Sequence, residues 1–175
     1  APAKEDITIK ESLDKTIGYF RENPPTSPSS YWEAFLGLWA GGEDLNSGPY
    51  PDYPWLNIDP AFNETTYGND HIHYIFSLLA LNEDPSNIWG GRNLFEELSK
   101  HQNPETGSFG NFGKHIFAIL ALDTGQDLGL EVGLWNEESK VKAINHLLNN
   151  QNDDGSFASF SKADYTGWSL IPLSR

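Results

Sequence analysis

Ile9, Leu13, Ile17 and Phe20 recur at intervals of four, four and three along an otherwise charged stretch, a spacing that predicts an amphipathic helix over 7–22. The run "NPPTSPSS" at 23–30 stops it, because proline cannot continue a helix and restricts the residue before it. Ser29 or Ser30 is expected to cap the next helix, "YWEAFLGLWAGG", and Gly41 and Gly42 to end it. Helical spacing returns at 69–83, 92–102, 112–123 and 138–150, and a last helix is expected from near Asp164 to the terminus. Residues 43–66 break the pattern. They are rich in Pro, Gly, Asp and aromatics and read as a long ordered loop, of a length that is uncommon in compact domains and often functional. Tyr50, Tyr53 and Trp55 are the side chains that would pin it to the helices. No segment reads as a strand.

Two kinds of helix alternate. Segments 7–22, 92–102 and 138–150 are charged with a narrow apolar stripe, whereas 31–41, 71–81, 114–122 and 165–173 are apolar nearly all round. A helix of the second kind has to be covered on more than one side, so the chain describes amphipathic helices outside and apolar helices inside. The phrases "FLGLWAGG", "IFSLLALNED", "IFAILALDTG" and "WSLIPLSR" align with Ala40, Ala80, Ala121 and Pro172 at matching places, a period that signals helical hairpins stacked against one another. A second phrase repeats as well: "QNPETGSFGNF" at 102–112 and "QNDDGSFASF" at 151–160.

These two phrases resemble the Gln…Gly-Ser-Trp motif of the prenyltransferase and squalene-cyclase repeat superfamily, with Phe109 and Phe157 in place of Trp. Segment 69–125 is similar to repeats in exported bacterial proteins of that superfamily, which themselves resemble the cobalamin carriers. The resemblance spans most of 7–174 and is weakest in the 43–66 loop. It implies an all-α fold, an α/α toroid with an inner and an outer ring of helices. This chain supplies about three and a half hairpins, which makes a partial toroid in one domain over 1–175. A fragment of a longer toroid, an open half-ring, or two copies completing one another would each satisfy that count. The resemblance further implies that Gln102, Gly107 and Phe109, and Gln151, Gly155 and Phe157, are structural joinery, each Gln lying by its aromatic and tying neighbouring helix ends.

Charge narrows the partners. Twenty-five acidic residues stand against eleven basic ones, for a net charge of −14, and no Lys/Arg cluster of the kind that binds phosphate backbones occurs. No nucleic-acid partner is expected. No apolar run is long enough to span a membrane. The absence of Cys removes disulfides, thiolate catalysis and Cys-based zinc sites. "APAKED" reads as a terminus left by signal-peptide removal, so a secreted or cell-surface location, as in a Gram-positive bacterium, is the expectation.

Four constellations carry candidate chemistry. Aligned on Thr166, Asp164 in "KADYTGWS" matches the middle Asp of the class II terpene-cyclase motif, the acid that protonates an alkene or epoxide in that family; Lys162 and Tyr165 replace its flanking Asp residues. The competing reading places Asp164 as a helix cap. The five His residues lack a spacing that makes a metal set, since His71 and His73 are two apart on one helix. "NQNDDGS" at 150–156 has the composition of a calcium loop without the distal Glu of an EF-hand. Finally, aromatics concentrate on the inner helices, where Tyr31, Trp32, His71, Tyr74 and His115, at the helix beginnings, are the residues expected to line an open ligand-binding face. No metal and no cofactor is expected. The function read from the sequence is an exported, non-catalytic module that takes an apolar or amphipathic ligand, or a protein partner, on an aromatic-lined concave face. The alternatives are a terpene-cyclase-like enzyme with Asp164 as general acid and a purely structural segment of a surface protein.

Overall fold

A computed structural model of the chain describes residues 8–62, 69–158 and 161–175. Residues 1–6, which carry the processed-terminus expectation, and 63–66 of the expected loop lie outside that set. Among the described residues the chain forms seven α-helices and no strand: α1 (Ile9–Glu22), α2 (Pro28–Ala40), α3 (Asn69–Ala80), α4 (Leu94–Ser99), α5 (Phe112–Asp127), α6 (Glu137–Leu148) and α7 (Lys162–Leu173). The fold is all-α.

Local chemistry sets the helix starts. Thr8 and Glu11 form a reciprocal capping box at α1. Asn93, Asn111 and Asn136 each accept a hydrogen bond from a backbone N–H in the first turn of α4, α5 and α6. The expected Ser29 or Ser30 cap is not used: α2 starts earlier, with Pro28 as its first residue, where a missing N–H leaves nothing unsatisfied. Tyr31 then departs from helical geometry at φ −139°, ψ 19°, so α2 is kinked one turn in. α4 is shorter than the 92–102 expected, because the chain leaves the helix after Ser99 to enter the Gln102 turn. α5 is longer, running to Asp127.

The helices form two rows. α2, α3, α5 and α7 pack in succession as an inner row. α4 sits against both α3 and α5, and α6 against both α5 and α7. Each outer helix thus lies over the seam between two inner ones. Among the described residues no outer helix covers the α2–α3 seam. The 43–62 segment takes that seat: Leu45, Tyr50 and Tyr53 are buried with Phe35, Leu38 and Leu81, and a short 3-10 turn at Pro54–Asn57 sets Trp55 against Phe35 and Tyr74. The larger core lies under α4 and α6, where Ile75, Leu78, Leu94, Phe95, Leu98, Ile116, Ile119 and Leu122 are fully buried. Leu36, Trp55 and Leu56 pack against both cores and join them.

The repeated phrase is joinery, and the two copies are built alike. Gln102 Nε2 donates to Gly107 O at 3.2 Å and to Ser139 O on α6 at 2.8 Å, tying the end of α4 to the start of α6. Gln151 Nε2 donates to Gly155 O at 2.9 Å in the same way. Phe109 and Phe157 are both buried, and each has its backbone N–H held by a side chain of the following inner helix, His115 Nδ1 in one copy and Thr166 Oγ1 in the other.

Candidate ligand cleft

Trp32, Leu36 and Trp39 are spaced so that they share one face of α2. That face turns toward Phe76 of α3 and Phe117 of α5. The Trp32 ring stacks on His73 at 5.6 Å and on Phe76 at 5.5 Å, and meets Phe117 edge-on at 5.2 Å. Phe117 in turn meets Trp168 of α7 at 5.2 Å. Four successive inner helices therefore contribute to one aromatic row, on the side that α4 and α6 do not cover. Trp32 and Phe117 are half-buried, and Trp168 is 37% exposed.

At the C-terminal ends of these helices the row opens into a cleft of ≈ 630 Å³, lined mainly by Leu36, Trp39, Phe76, Leu79, Leu128 and Leu130. That volume falls within the range of small-molecule sites. The cleft exists because α2, α3 and α5 end in the same way. In each, a residue with positive φ (Gly42, Asn82, Gly129) follows the last turn, and the next N–H reaches back five residues: Glu43 to Leu38 O, Glu83 to Leu78 O, Leu130 to Gly125 O. This Schellman geometry turns three chains away at one level and leaves their last side chains uncovered. Trp39 is 52% and Leu128 59% exposed. Asn82, Glu83 and Asp84 form a polar, acidic rim.

The residues expected at the helix beginnings do not converge. Trp32 belongs to the aromatic row. Tyr31, its neighbour, points the other way into the gap between α1 and α2. His71 and Tyr74 meet around Phe62, at 4.6 and 5.1 Å. His71 is buried, with Nε2 2.9 Å from Glu97 Oε2, and Glu97 also receives Arg92. Burial pushes the His71 pKa down, against the pull of Glu97. His115 is fully buried, not at an open face. Its Nδ1 accepts from Phe109 N and its Nε2 donates to Ala143 O at 2.9 Å, so it is neutral and clamps the repeat turn to α6. Burial holds its pKa down at about 4. The expectation of these two histidines near an open face fails because the outer helices α4 and α6 close over that end of the inner row.

Asp164 lies in the first turn of α7 and is exposed. Ser161, not Asp164, is the residue preceding the helix. An exposed carboxylate lacks the water-excluded setting that alkene protonation requires. In the 150–156 turn Asp154 accepts from Ser156 N and Oγ and from Lys162 Nζ; the Ser156 bonds, then Lys162, lower its pKa. Among the described residues no group of three or more His, Asp or Glu side chains is placed to hold a metal ion.

The sequence reading placed the aromatics on the inner helices but favoured the opposite helix ends. It missed Leu36, Leu79, Leu128 and Leu130. The signal was the apolar residue paired with an αL-prone one at each stop: Trp39 before Gly41-Gly42, Leu79 before Asn82, and Leu128 before Gly129. Comparison with models of protein families, with characterised proteins and with solved structures returns no match to this chain.

Proposed function

We propose that the protein is a secreted or cell-surface, non-catalytic binding module that takes an extended apolar or amphipathic ligand along the aromatic row, with its end in the Trp39 cleft. The observation that carries this reading is the uncovered row itself. A protein that only needed a core has no reason to leave Trp32, Phe117 and Trp168 in contact with one another on the side without outer helices, opening into an apolar cleft. The row is long and flat, which suits a chain or a ring system better than a compact polar metabolite. The rim carries Glu83 and Asp84 in a chain of net charge −14, so a neutral or cationic head group is favoured over a carboxylate. The partial toroid and its concave inner face belong to this proposal, and they agree with the two-row packing.

The test is calorimetric titration with decanol below its solubility limit and with decyltrimethylammonium and decanoate below their micellar concentrations. The reading expects binding of the first two, weaker binding of decanoate, and a loss of about tenfold in affinity on Trp39→Ala, which removes an exposed ring and leaves the core untouched. Equal binding by Trp39→Ala, or no binding by any of the three, would overturn it. Asp164→Asn is expected to change none of these affinities.

A further inference from the structure

The outer helices α4 and α6 each touch the inner helix before them and the inner helix after them. α1 is a helix of the same amphipathic kind, but among the described residues it lies beside α2 alone, with no second inner helix against it. It buries Ile17 alone, and leaves Ile9 91% and Leu13 44% exposed. Between α1 and α2 lies a second cleft of ≈ 500 Å³, with Leu13, Ile17, Phe20, Tyr31 and Leu38 among its walls.

At the opposite edge, among the described residues, α7 carries α6 on one side and no outer helix on the other, and the second repeat turn carries none. The two copies of the turn show what is missing. A Cβ placed on Gly107 would lie 2.4 Å from the backbone of Lys142, because α6 docks directly on that glycine. Gly155 has the same left-handed backbone, φ 82° against 76°, yet nothing among the described residues lies within 4 Å of its Cβ position. Gln102 reaches α6, whereas Gln151 stands exposed with its bond to Gly155. The inner helices agree. With Ala121 aligned on Pro172, Ile119 falls on Leu170 and Leu120 on Ile171; the first pair is 0% and 60% exposed, the second 9% and 47%. Gly155 and α7 therefore keep the form of a seat for an outer helix.

We infer that this seat takes α1 of a second copy of the chain. α1 then gains the preceding inner helix that α4 and α6 already have, and Leu170 and Ile171 enter the cleft between α1 and α2. The association is head-to-tail: the α1–α2 edge of one copy meets the α6–α7 edge of the next. Two such contacts close a ring of two if the geometry allows, and an open array forms if it does not. The occupant follows from the repeat, since the vacant position is that of an amphipathic outer helix and α1 is the outer helix of this chain whose stripe is least covered.

Sedimentation velocity over a hundredfold concentration range tests this with the chain as it stands. The expected result is concentration-dependent self-association. Leu170→Glu and Ile9→Glu each replace an exposed side chain, so both variants should stay folded by circular dichroism and each should be monomeric on its own. Mixed together, they should form a one-to-one complex, because one copy keeps an intact α7 edge and the other an intact α1 edge. A wild-type chain that stays monomeric throughout overturns the inference. So does a mixture that fails to associate when the wild type does, which would indicate a symmetric contact. Association that survives Ile9→Glu while failing in Leu170→Glu would also overturn it, since the seat would then take something other than α1.

Discussion

A methyl group at Gly107 and one at Gly155 are expected to have different consequences. Both residues sit in the left-handed region, so Ala at either costs about 1 kcal/mol in backbone strain. At Gly107 the methyl must also push into the backbone of α6, and the total should reach about 3 kcal/mol. Chemical denaturation of Gly107→Ala and Gly155→Ala in the monomer checks this; equal losses would mean that α6 does not rest on Gly107. Gln102→Ala should likewise destabilise more than Gln151→Ala, because its bond to Ser139 is lost as well. His115 adds a pH dependence. Its folded pKa, about 4, lies below the usual histidine value, so the unfolded chain binds the proton more readily and protonation favours unfolding. The stabilisation is complete above about pH 6.5 and is lost as pH falls toward 4, a change of a few kcal/mol. His101, also held at about 4 by burial, acts in the same direction. In His115→Gln the amide can accept from Phe109 N and donate to Ala143 O without titrating, and the slope of stability between pH 6.5 and 4 should become shallower. An unchanged slope would place the proton uptake elsewhere.

Among the elements, the inner helices were the most legible in sequence, because an all-round apolar stretch permits few positions other than a covered one. The starts of α5 and α6 were legible from the spacing to within a residue, and that of α2 was misread, where Pro28 set the start ahead of the two serines. The 43–62 part of the expected loop could be recognised as ordered from its aromatics, but its role as a substitute for an outer helix depends on which seam it covers, which no local pattern encodes. The helix beginnings were favoured as an open face because aromatics and histidines cluster there; that end is closed by residues distant in sequence, such as Glu97 on His71 and Ala143 on His115. α1 illustrates the limit of a stripe as a guide to burial. Its spacing predicts a helix correctly, yet one residue of the stripe is buried, contributing about 2 kcal/mol. The Arg21–Glu43 pair, braced by Tyr50, holds its C-terminal end. At concentrations where the chain is monomeric, α1 amides should therefore exchange hydrogen well before those of α5, and Ile17→Ala should deepen that difference with little effect on the protection of α5. Equal protection of the two helices would show α1 to be part of the main cooperative unit.

For the molecule as a whole, the two-row packing separates a closed side from an open one. Outer helices and the 43–62 segment cover one side of the inner row, and the other side keeps an aromatic strip in view of solvent. The six tryptophans divide along the same line, and their indole N–H groups report on it. Trp32, Trp39 and Trp168 stand on the open side, whereas Trp89 and Trp135 are engaged at Leu56 O and Asp123 Oδ1 and Trp55, within the 43–62 segment, is set against Phe35 and Tyr74. Titrating the ¹⁵N-labelled protein with decyltrimethylammonium below its micellar concentration, while following the six indole signals, tests the central claim most directly. The account predicts saturable shifts at Trp32, Trp39 and Trp168, with the other three nearly still. Shifts at Trp55, Trp89 and Trp135 instead, or no saturable shift at any of the six, would contradict it.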